Sequence, residues 1–535
     1  MAAECGILKG PRSKYPKITK SVGELFFDQV EKLGEKNCQI DADTGKSETY
    51  QEVKTRAVRV AIRLKEIGLR ENDVAMVCCR NNLDDMIPVL ATLFVGGCVS
   101  SIDPKETVDD VKHAFAVVAP RYVFVEEDSV ALIEQSAGDV VNPPTIIVIG
   151  SSTKYRNMAD METPAENEQT FRPLRKNVDD IAVIVFSSGT TSLPKGIAIS
   201  HYGMLHGFLA LVREIDNCRP DVMVHFASLF WISAVLLTGI TLVTGGTKVI
   251  APRISAADLL RVIERYKVSF IFMSNTYTYE ITDLKQEVVN RYDTSSLYSI
   301  IIGGSTMNPT QLKRIRNTLV HTKVTVGYGS SETAAVSSFD LRDAEAYEKK
   351  VLSSGKVLSD VEVKIVDIEK RAVLGPNHQG EILVRSPYLM KGYYNMEKPD
   401  AFDDQGFLKT GDIGYFDEDE YLYVTDRIHE VFKYQTSQVS PVAIERVLAE
   451  HPAIKEAVVF GVPHEVDRFH PAACIVLKKD SSVDVQEVAE FVSARVSDKN
   501  KLRGGVIVID RIPRTPTGKI QRRSIRDYFL RCRDG

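Results

Sequence analysis

The middle of the chain alternates between segments typical of buried strands and segments typical of helices. Ile181–Phe186 is an unbroken apolar run, as expected of a strand that is covered on both faces. Three helices are predicted nearby: one over 202–213, an amphipathic one over 256–267 and one that opens at Asn308-Pro309. Because parallel strands need crossover connections, this order favours parallel sheets with covering helices, and further strands are predicted at 247–250, 269–273 and 297–302.

The second half of the chain has a different texture. Beyond about residue 355, short predicted strands are separated by Gly, Pro and Asp, which indicates a small β-rich subdomain. The last ~110 residues have the size of an ordinary compact domain and an α+β pattern. A chain of 535 residues is too long for one core. We therefore predict an α/β protein: a large N-terminal domain, 1–426, of parallel-sheet αβ layers with the β-rich subdomain, and a small C-terminal α+β domain, 427–535.

Composition excludes several classes of function. The net charge of -5 gives no basic field for nucleic acid or anionic membrane, and the eight cysteines contain no C-x-x-C pair. The uncharged stretch 226–243 is long enough for a membrane helix. Small polar residues interrupt it, so a buried helix beside a ligand pocket is predicted. With no apolar leader and no S-K-L ending, we expect a cytoplasmic protein without a transmembrane segment, and delivery to the peroxisome by a partner stays open as the alternative.

The strongest motif follows the strand Ile181–Phe186. The segment 186–196 reads F-S-S-G-T-T-S-L-P-K-G, with small residues that allow backbone N–H groups to approach phosphate oxygens. Hydroxyls add donors, and Lys195 adds positive charge. The alternative is a flexible Ser/Thr turn. The position after a strand favours a phosphate loop, with contacts from Ser187, Ser188, Gly189, Thr190 and Thr191.

The sequence S-S-G-T-T-x-L-P-K-G resembles the signature loop of the adenylate-forming superfamily of acyl-CoA synthetases, 4-coumarate:CoA ligases and beetle luciferases. The resemblance covers nearly the whole chain and is strongest to the luciferase-like acyl-CoA synthetase branch. It implies that 1–426 is an AMP-binding adenylation domain and that 427–535 is a mobile C-terminal domain. It also implies ATP, Mg²⁺, coenzyme A and a small carboxylic acid as ligands.

Further motifs of the family supply the expected nucleotide residues. The segment 302–306, I-G-G-S-T, resembles the adenine-contacting turn with Gly304 and Ser305, and 327–332, G-Y-G-S-S-E, resembles G-Y-G-x-T-E. The resemblance implies that Tyr328 stacks on adenine and that Glu332 holds Mg²⁺. It assigns nucleotide contacts to Gly329 and Ser331 and ribose contacts to Asp412 of T-G-D and Arg427 of D-R. In isolation, each of these short motifs is an ordinary turn or a surface ion pair.

The resemblance also implies two catalytic lysines in the C-terminal domain. Lys519 lies in P-R-T-P-T-G-K-I, which matches the motif of the adenylation lysine that bridges the substrate carboxylate and the α-phosphate. Lys433 belongs to the face used in the second, thioester-forming step. A solvated surface lysine is the alternative interpretation of each.

Four positions depart from the family pattern: Ser192 and Thr436 replace glycines, His429 replaces a hinge lysine, and Trp231 replaces a substrate-facing histidine. Thr436 bears on the thioester step, because glycine there lets the pantetheine run close to the backbone. Trp231 is either the floor or gate of the acyl site or a core aromatic.

The acyl pocket is expected to be lined by uncharged residues, namely Phe230, Trp231, Ser233 and Gly303. An apolar acid is therefore predicted, either a fatty acid or an aryl acid. His206 and Arg213, on the helix after the phosphate loop, either face this pocket or lie at the surface, and the surface placement is predicted.

Three functions remain open from the sequence. The first is an acyl-CoA ligase with both half-reactions, and the second is an adenylating oxidase of the luciferase type. The third is a non-catalytic relative that binds nucleotide or fatty acid. Retention of Lys195, Glu332, Asp412, Arg427 and Lys519 favours an enzyme.

Overall fold

The computed structural model describes residues 6–138, 140–186, 194–213, 218–252, 254–304, 307–396, 401–435, 437–514 and 520–534. These residues form five β-sheets, four of them before residue 428 and the fifth after it. The predicted α/β class, with a separate C-terminal α+β domain, is confirmed.

The first large sheet has eight strands in its described part and contains the strand that precedes the predicted phosphate loop. The antiparallel pairs lie at one edge of the sheet, where Gly196–Ser200 pairs with both Gly392–Tyr393 and Ile181–Phe186. All pairs from Ile181–Phe186 to the other edge are parallel. The segment 187–193 therefore connects two antiparallel neighbours. The strand order is Gly392–Tyr393, Gly196–Ser200, Ile181–Phe186, Cys98–Ile102, Val74–Cys78, Tyr122–Glu126, Thr145–Ile149 and Arg156–Asn157.

The second large sheet confirms the predicted crossover pattern. Its strands pair in parallel except for the antiparallel edge strand Ser47–Thr49. The helix Ala256–Tyr266 is capped by Ser255, and Pro309–Thr318 is capped by Asn308 with proline in its first turn. The order of its seven strands is Lys323–Val326, Ser299–Gly303, Phe270–Ser274, Val222–His225, Thr247–Ile250, Asn37–Asp41 and Ser47–Thr49.

The predicted β-rich subdomain is built on one antiparallel sheet, and a smaller antiparallel sheet lies mostly before it in the chain. One sheet contains the strands Ile7–Lys9, Glu362–Val366, Gly380–Arg385, Leu408–Phe416 and Leu422–Arg427, with Val373–Leu374 beside Glu362–Val366. The other contains Tyr328–Ser330, Ala334–Ser338 and Lys356–Val357.

The C-terminal domain has its own sheet and its own core. Its sheet is built from Ser437–Val439, Phe432–Tyr434, Arg468–Leu477, Ile454–His464 and Gly505–Val508. Three helices cover it: Pro441–Leu448, Val485–Ser493 and Arg522–Asp534. The chain leaves the antiparallel sheet of the β-rich subdomain at Arg427 and enters the C-terminal sheet at Phe432. The exact boundary at 426/427 stays a prediction.

The helices of the N-terminal domain cover the sheets and, in one place, differ from the prediction. The expected single helix over 202–213 is two helices, His201–His206 and Leu209–Arg213. At Gly207 between them, an added Cβ would lie 2.2 Å from the Leu236 side chain, so the neighbouring helix packs against the break. The other helices are Val22–Leu33, Tyr50–Glu66, Met86–Phe94, Val108–Val118, Val130–Ala137, Met158–Met161, Ile232–Thr244, Asn275–Thr282, Gln286–Val289 and Ala344–Lys349, with 3₁₀ turns at Glu127–Ser129 and Asp498–Asn500.

The uncharged stretch 226–243 forms a buried helix, as predicted. The helix Ile232–Thr244 has 13 residues, begins after Trp231 and ends at Gly245 in the left-handed conformation. Among the described helices, none is long and apolar enough to cross a membrane.

Candidate nucleotide and acyl site

Asp412, a buried carboxylate, joins two strands of the β-rich subdomain to Tyr328, which lies just beyond the edge strand of the seven-stranded sheet. Asp412 is only 4% exposed, and each of its oxygens has a partner. The Tyr328 hydroxyl donates to Oδ2 at 2.8 Å, and the Arg427 Nε donates to Oδ1 at 2.8 Å. Three residues predicted to hold the nucleotide therefore form one contiguous cluster, although their roles stay a prediction.

Local backbone geometry explains why these side chains meet. Asp412 and Arg427 are direct partners across antiparallel strands, so their side chains share one face of the sheet. Gly411 has a φ of +71°, which favours glycine, and its missing side chain leaves open space beside Asp412. The Thr410 hydroxyl accepts a hydrogen bond from the Asp412 backbone N–H at 3.0 Å.

Charge and burial shape the protonation of this cluster. Burial, and then the negative charge of Asp412, raise the pKa of Tyr328 well above its usual range, so the phenol stays a neutral donor. The Asp412 carboxylate raises the pKa of Arg427. The Arg427 side chain as a whole remains half exposed beyond this ion pair, at 49% accessible. Arg427 can therefore hold Asp412 and a second, solvent-side group together.

Two further predicted residues lie near this cluster. The half-buried Glu332 contributes to the electrostatics of both Arg427 and Tyr393. The Lys195 ammonium lies 4.8 Å from the centroid of the Tyr393 ring, a cation–π contact. Tyr393 thus connects the lysine at the end of the predicted phosphate loop to the predicted metal carboxylate.

The predicted adenine turn ends a parallel strand of the seven-stranded sheet. Gly304 has a φ of +87°, and an added Cβ would meet open space. At Gly303 an added Cβ would lie 2.6 Å from the Phe272 ring, so this glycine allows an aromatic ring to pack against the backbone. Any larger residue at this position would push the ring away, because only the missing side chain leaves room for it. Gly329 is similarly close to backbone, with 2.1 Å between an added Cβ and the Ala334 carbonyl oxygen.

The residues predicted to line the acyl pocket belong to, or lie beside, two groups of packed aromatic rings. Phe230 and Trp231 pack edge to face at 4.7 Å between ring centroids, beside Phe186 at the end of the strand before the phosphate loop. Phe272 lies 5.7 Å from Phe208 and packs against the core that contains Tyr328. The half-buried Ser233 belongs to the first turn of the buried helix.

Several predicted residues are not placed at this cluster. The Lys433 ammonium lies 3.6 Å from the Glu369 carboxylate, in a turn of the β-rich subdomain. Ser331 is half buried in the turn that follows Tyr328–Ser330, and His429 is exposed. Seven of the predicted residues and two departures lie outside the described residues: Ser187, Ser188, Gly189, Thr190, Thr191, Ser305 and Lys519, with Ser192 and Thr436.

Sequence reasoning missed three neighbours and misplaced one residue. Thr410, Phe272 and Tyr393 contact predicted site residues, and only Thr410 belongs to a motif that the sequence analysis used. His206 was predicted at the surface but is 8% exposed. Its ring stacks on Tyr202 at 4.1 Å, because the helix His201–His206 packs its aromatic face inwards.

Comparisons with known proteins agree with this architecture. Residues 26–394 match the AMP-binding enzyme family, and residues 443–519 match the AMP-binding enzyme C-terminal domain. Luciferin 4-monooxygenase of Nipponoluciola cruciata is 30% identical over 98% of this chain and 97% of its own length. 4-coumarate-CoA ligase 1 of Narcissus pseudonarcissus is 29% identical over 96% of this chain and 95% of its own.

A solved structure is also similar to this chain. The luciferase-like enzyme from the nonluminescent Zophobas morio mealworm shares 39% identity and a TM-score of 0.76, covering 80% of this chain and 100% of that chain.

The two large sheets, the β-rich subdomain and the separate α+β domain define an adenylate-forming enzyme fold. The chain belongs to the AMP-binding enzyme family and carries both its main domain and its C-terminal domain.

Proposed function

We propose that this protein uses ATP to activate an apolar carboxylic acid, namely a fatty acid, as its acyl-adenylate and then transfers the acyl group to coenzyme A. The observation that carries the proposal is the cluster of Tyr328, Asp412 and Arg427 in a chain of the AMP-binding enzyme family. The relatives named 4-coumarate-CoA ligase support the thioester product.

The cluster suits a ribose and an adenine. Asp412 and the outer side of Arg427 offer an acceptor and a donor to the ribose hydroxyls. The Tyr328 ring lies next to them, and Gly304 leaves space beside the backbone for a flat base. The proposed nucleotide contacts further include the phosphate loop with Lys195 and the residues Ser305, Gly329 and Ser331.

A magnesium ion fits the donors at this site. Glu332 is a half-buried carboxylate that acts electrostatically on Arg427 and Tyr393, and carboxylate oxygens are the ligands that Mg²⁺ prefers. Glu332 would hold the ion together with the phosphates. When bound, Mg²⁺ would neutralise negative charge on the ATP phosphates during adenylyl transfer, in which pyrophosphate leaves.

The apolar character of the acid is supported by the walls near the cluster. The buried helix Ile232–Thr244 carries no ionisable side chain, and Phe230 lies two residues before it. Phe272 packs against Gly303, and its ring centroid lies 5.7 Å from that of Phe208. A charged substrate tail would lose its hydration there without a partner, which is costly. An aryl acid meets the same requirement and is an outcome of the test below.

The C-terminal domain would serve the two half-reactions in turn. We propose that the domain begins at Arg427, that Lys519 stabilises negative charge during adenylation, and that the Lys433 face serves thioester formation. In support, Asp426 is buried, accepts a hydrogen bond from Ser440 at 2.6 Å and so links the last strand of the β-rich subdomain to the first C-terminal helix.

A second candidate is a luciferase-type adenylating oxidase. It is favoured by the relatives named luciferin 4-monooxygenase and by the 39% identity to a luciferase-like enzyme. That structure comes from a nonluminescent animal, so the comparison supports the ligase as well. Light emission with luciferin, ATP and oxygen would favour the oxidase.

The test is pyrophosphate release by the purified protein with ATP, Mg²⁺ and a panel of fatty and aryl acids, with and without coenzyme A. Acid-dependent release with a thioester product is expected, and the preferred acid defines the substrate class. Binding of nucleotide without release for any acid would contradict the proposal and favour a non-catalytic relative.

Lys519→Ala is the matched variant for this assay. It should slow adenylation by roughly 10²–10³ while nucleotide still binds, because a positive charge aimed at the developing negative charge is lost. Lys501→Ala, at a half-exposed lysine paired with Asp498, is the control and should leave release unchanged. Unchanged release in Lys519→Ala would overturn the assignment of this lysine.

A further inference from the structure

Three metal-ligating side chains converge at a hairpin tip in the C-terminal domain, away from the nucleotide cluster. The hairpin is formed by Ile454–His464 and Arg468–Leu477. One ligand atom from each of His464, Asp467 and His470 lies within 4.8 Å of the others. From this arrangement we propose that the hairpin tip binds a divalent transition metal ion of the zinc class.

Strand register brings the two imidazoles together. Val462 is the direct partner of His470 across the hairpin, and His464 is two residues further along the same strand. Because side chains alternate between faces, His464 and His470 occupy a diagonal on one face. Their rings stack with centroids 3.8 Å apart, and Asp467 reaches back from the turn between them.

The distances between the three ligand atoms suit the binding of a single metal ion. The Asp467 Oδ2 lies 2.8 Å from His470 Nε2 and 3.6 Å from His464 Nδ1. Ligands at ~2.0–2.2 Å from a shared tetrahedral zinc lie at similar separations from one another. Two imidazoles and one carboxylate suit zinc, cobalt or nickel, and the exposed side of His464 leaves a fourth position for water.

Neighbouring groups already orient the ligands. The Gln435 side-chain amide donates to the second Asp467 oxygen, Oδ1, at 2.8 Å, which fixes the carboxylate with Oδ2 toward the histidines. Such outer-shell hydrogen bonds are typical of metal sites. The His464 Nδ1 accepts the Asp467 backbone N–H at 3.1 Å, so this nitrogen is unprotonated, and a bond to the metal would replace this hydrogen bond.

The metal would also brace the turn that follows Tyr434. The Gln435 backbone N–H donates to the Asp467 carbonyl at 2.9 Å, and Gln435 has a left-handed φ of +52°. Fixing Asp467 therefore fixes both hydrogen bonds of Gln435. We expect metal loading to slow amide exchange at Gln435.

The test is metal titration of the untagged full-length protein with a Cys532→Ser background, which removes an exposed thiol. Excess Mg²⁺ is present to occupy the nucleotide site. One equivalent of Zn²⁺ should bind by calorimetry, and Co²⁺ should give the visible absorption of a tetrahedral N/O site. Both readouts are independent of any catalytic activity.

His464→Ala and His470→Ala should each weaken Zn²⁺ binding by roughly tenfold or more and remove the Co²⁺ spectrum. His378→Ala, at an exposed histidine elsewhere, is the control and should bind like the unchanged protein. His464 is the more exposed ligand, so its variant decides the test if His470→Ala does not fold. Failure to bind one equivalent, or equal binding by His464→Ala and the control, would overturn the proposal.

Discussion

Asp412 accepts from a phenol with one oxygen and from a guanidinium with the other. Replacing a buried carboxylate that accepts two hydrogen bonds costs free energy, because each donor then loses a charged partner that is shielded from water. Replacement by asparagine keeps the size of the side chain. It removes the negative charge and places an NH₂ group, which cannot accept a hydrogen bond, against either the Tyr328 hydroxyl or the Arg427 Nε.

Asp412→Asn should therefore raise the KM for ATP in the pyrophosphate assay. A hydrogen bond to a charged group contributes ~1.5–3 kcal/mol, so the increase should be roughly tenfold to hundredfold. Asp258→Asn removes a carboxylate from an exposed ion pair with Arg261 and should leave the KM unchanged. Equal KM values in both variants would show that Asp412 does not support nucleotide binding.

At the scale of elements, the helix Ile232–Thr244 crosses the helix His201–His206 at a glycine, Gly239. An added Cβ at Gly239 would lie 2.0 Å from the Met204 carbonyl oxygen, which belongs to the helix His201–His206. Backbone cannot move aside as a flexible side chain can. The close crossing brings the uncharged helix Ile232–Thr244 next to the strand-and-loop unit of the predicted phosphate site.

Gly239→Ala should lower the free energy of unfolding. Overpacking typically costs ~1–3 kcal/mol, and this exceeds the ~1 kcal/mol that alanine gains over glycine inside a helix. Urea denaturation would measure the difference. Gly375→Ala is the control, because an added Cβ there meets nothing within 4 Å. A Gly239 variant as stable as the Gly375 variant would mean that the helices separate at no cost.

The helix His201–His206 also makes stability depend on pH. Burial lowers the pKa of both His201 and His206 from 6.5 to about 4. Between these two values the unfolded chain binds protons that the folded chain does not, so the free energy of unfolding falls as the pH decreases.

Replacing His206 should reduce this loss of stability. In His206→Phe, which keeps a ring against Tyr202, the decrease between about pH 7 and about pH 5 should be smaller by about 1–2 kcal/mol. His321→Phe, at an exposed histidine, should show the full decrease. Parallel pH profiles for the two variants in urea denaturation would contradict a neutral, buried His206.

At the scale of the whole molecule, local patterns predicted elements better than they predicted contacts. The strand Ile181–Phe186 was predicted with its observed bounds, since an apolar run is a local property. The hydrogen bond between Tyr328 and Asp412 spans 84 positions and could be anticipated only through the family motifs. The break at Gly207 depends on Leu236 of another helix, which no local pattern contains.

The contacts between the domains were likewise not predictable from local sequence patterns. Lys455 of the C-terminal domain pairs with Asp283 at 2.6 Å, just after the helix Asn275–Thr282. Burial, and then Glu456 of the C-terminal domain, raise the pKa of Tyr279 on that helix to about 12. Neither the lysine nor the tyrosine stands out in the sequence. The Lys455–Asp283 ion pair and the effect of Glu456 on Tyr279 place the C-terminal domain against the helix Asn275–Thr282 in this arrangement.

The arrangement of the domains bears most on the proposed thioester-forming step. Lys433 pairs with Glu369 of the β-rich subdomain, and the turn beyond it contains Gln435 in the left-handed conformation. Thr436 follows directly, where the resemblance implies a glycine that lets the pantetheine pass close to the backbone. If that passage limits thioester formation, the limitation belongs to one half-reaction alone.

Thr436→Gly should therefore speed thioester formation from preformed acyl-adenylate by roughly tenfold, a change of ~1.4 kcal/mol in the barrier. Pyrophosphate release should not change, since the proposed adenylation step depends on Lys519 and not on this turn. Ser437→Gly, at the next exposed position, controls for added backbone freedom. Equal acceleration by both variants would mean that flexibility, not the Thr436 side chain, limits the step. A slower thioester step in Thr436→Gly would show that the threonine has become part of the coenzyme A site.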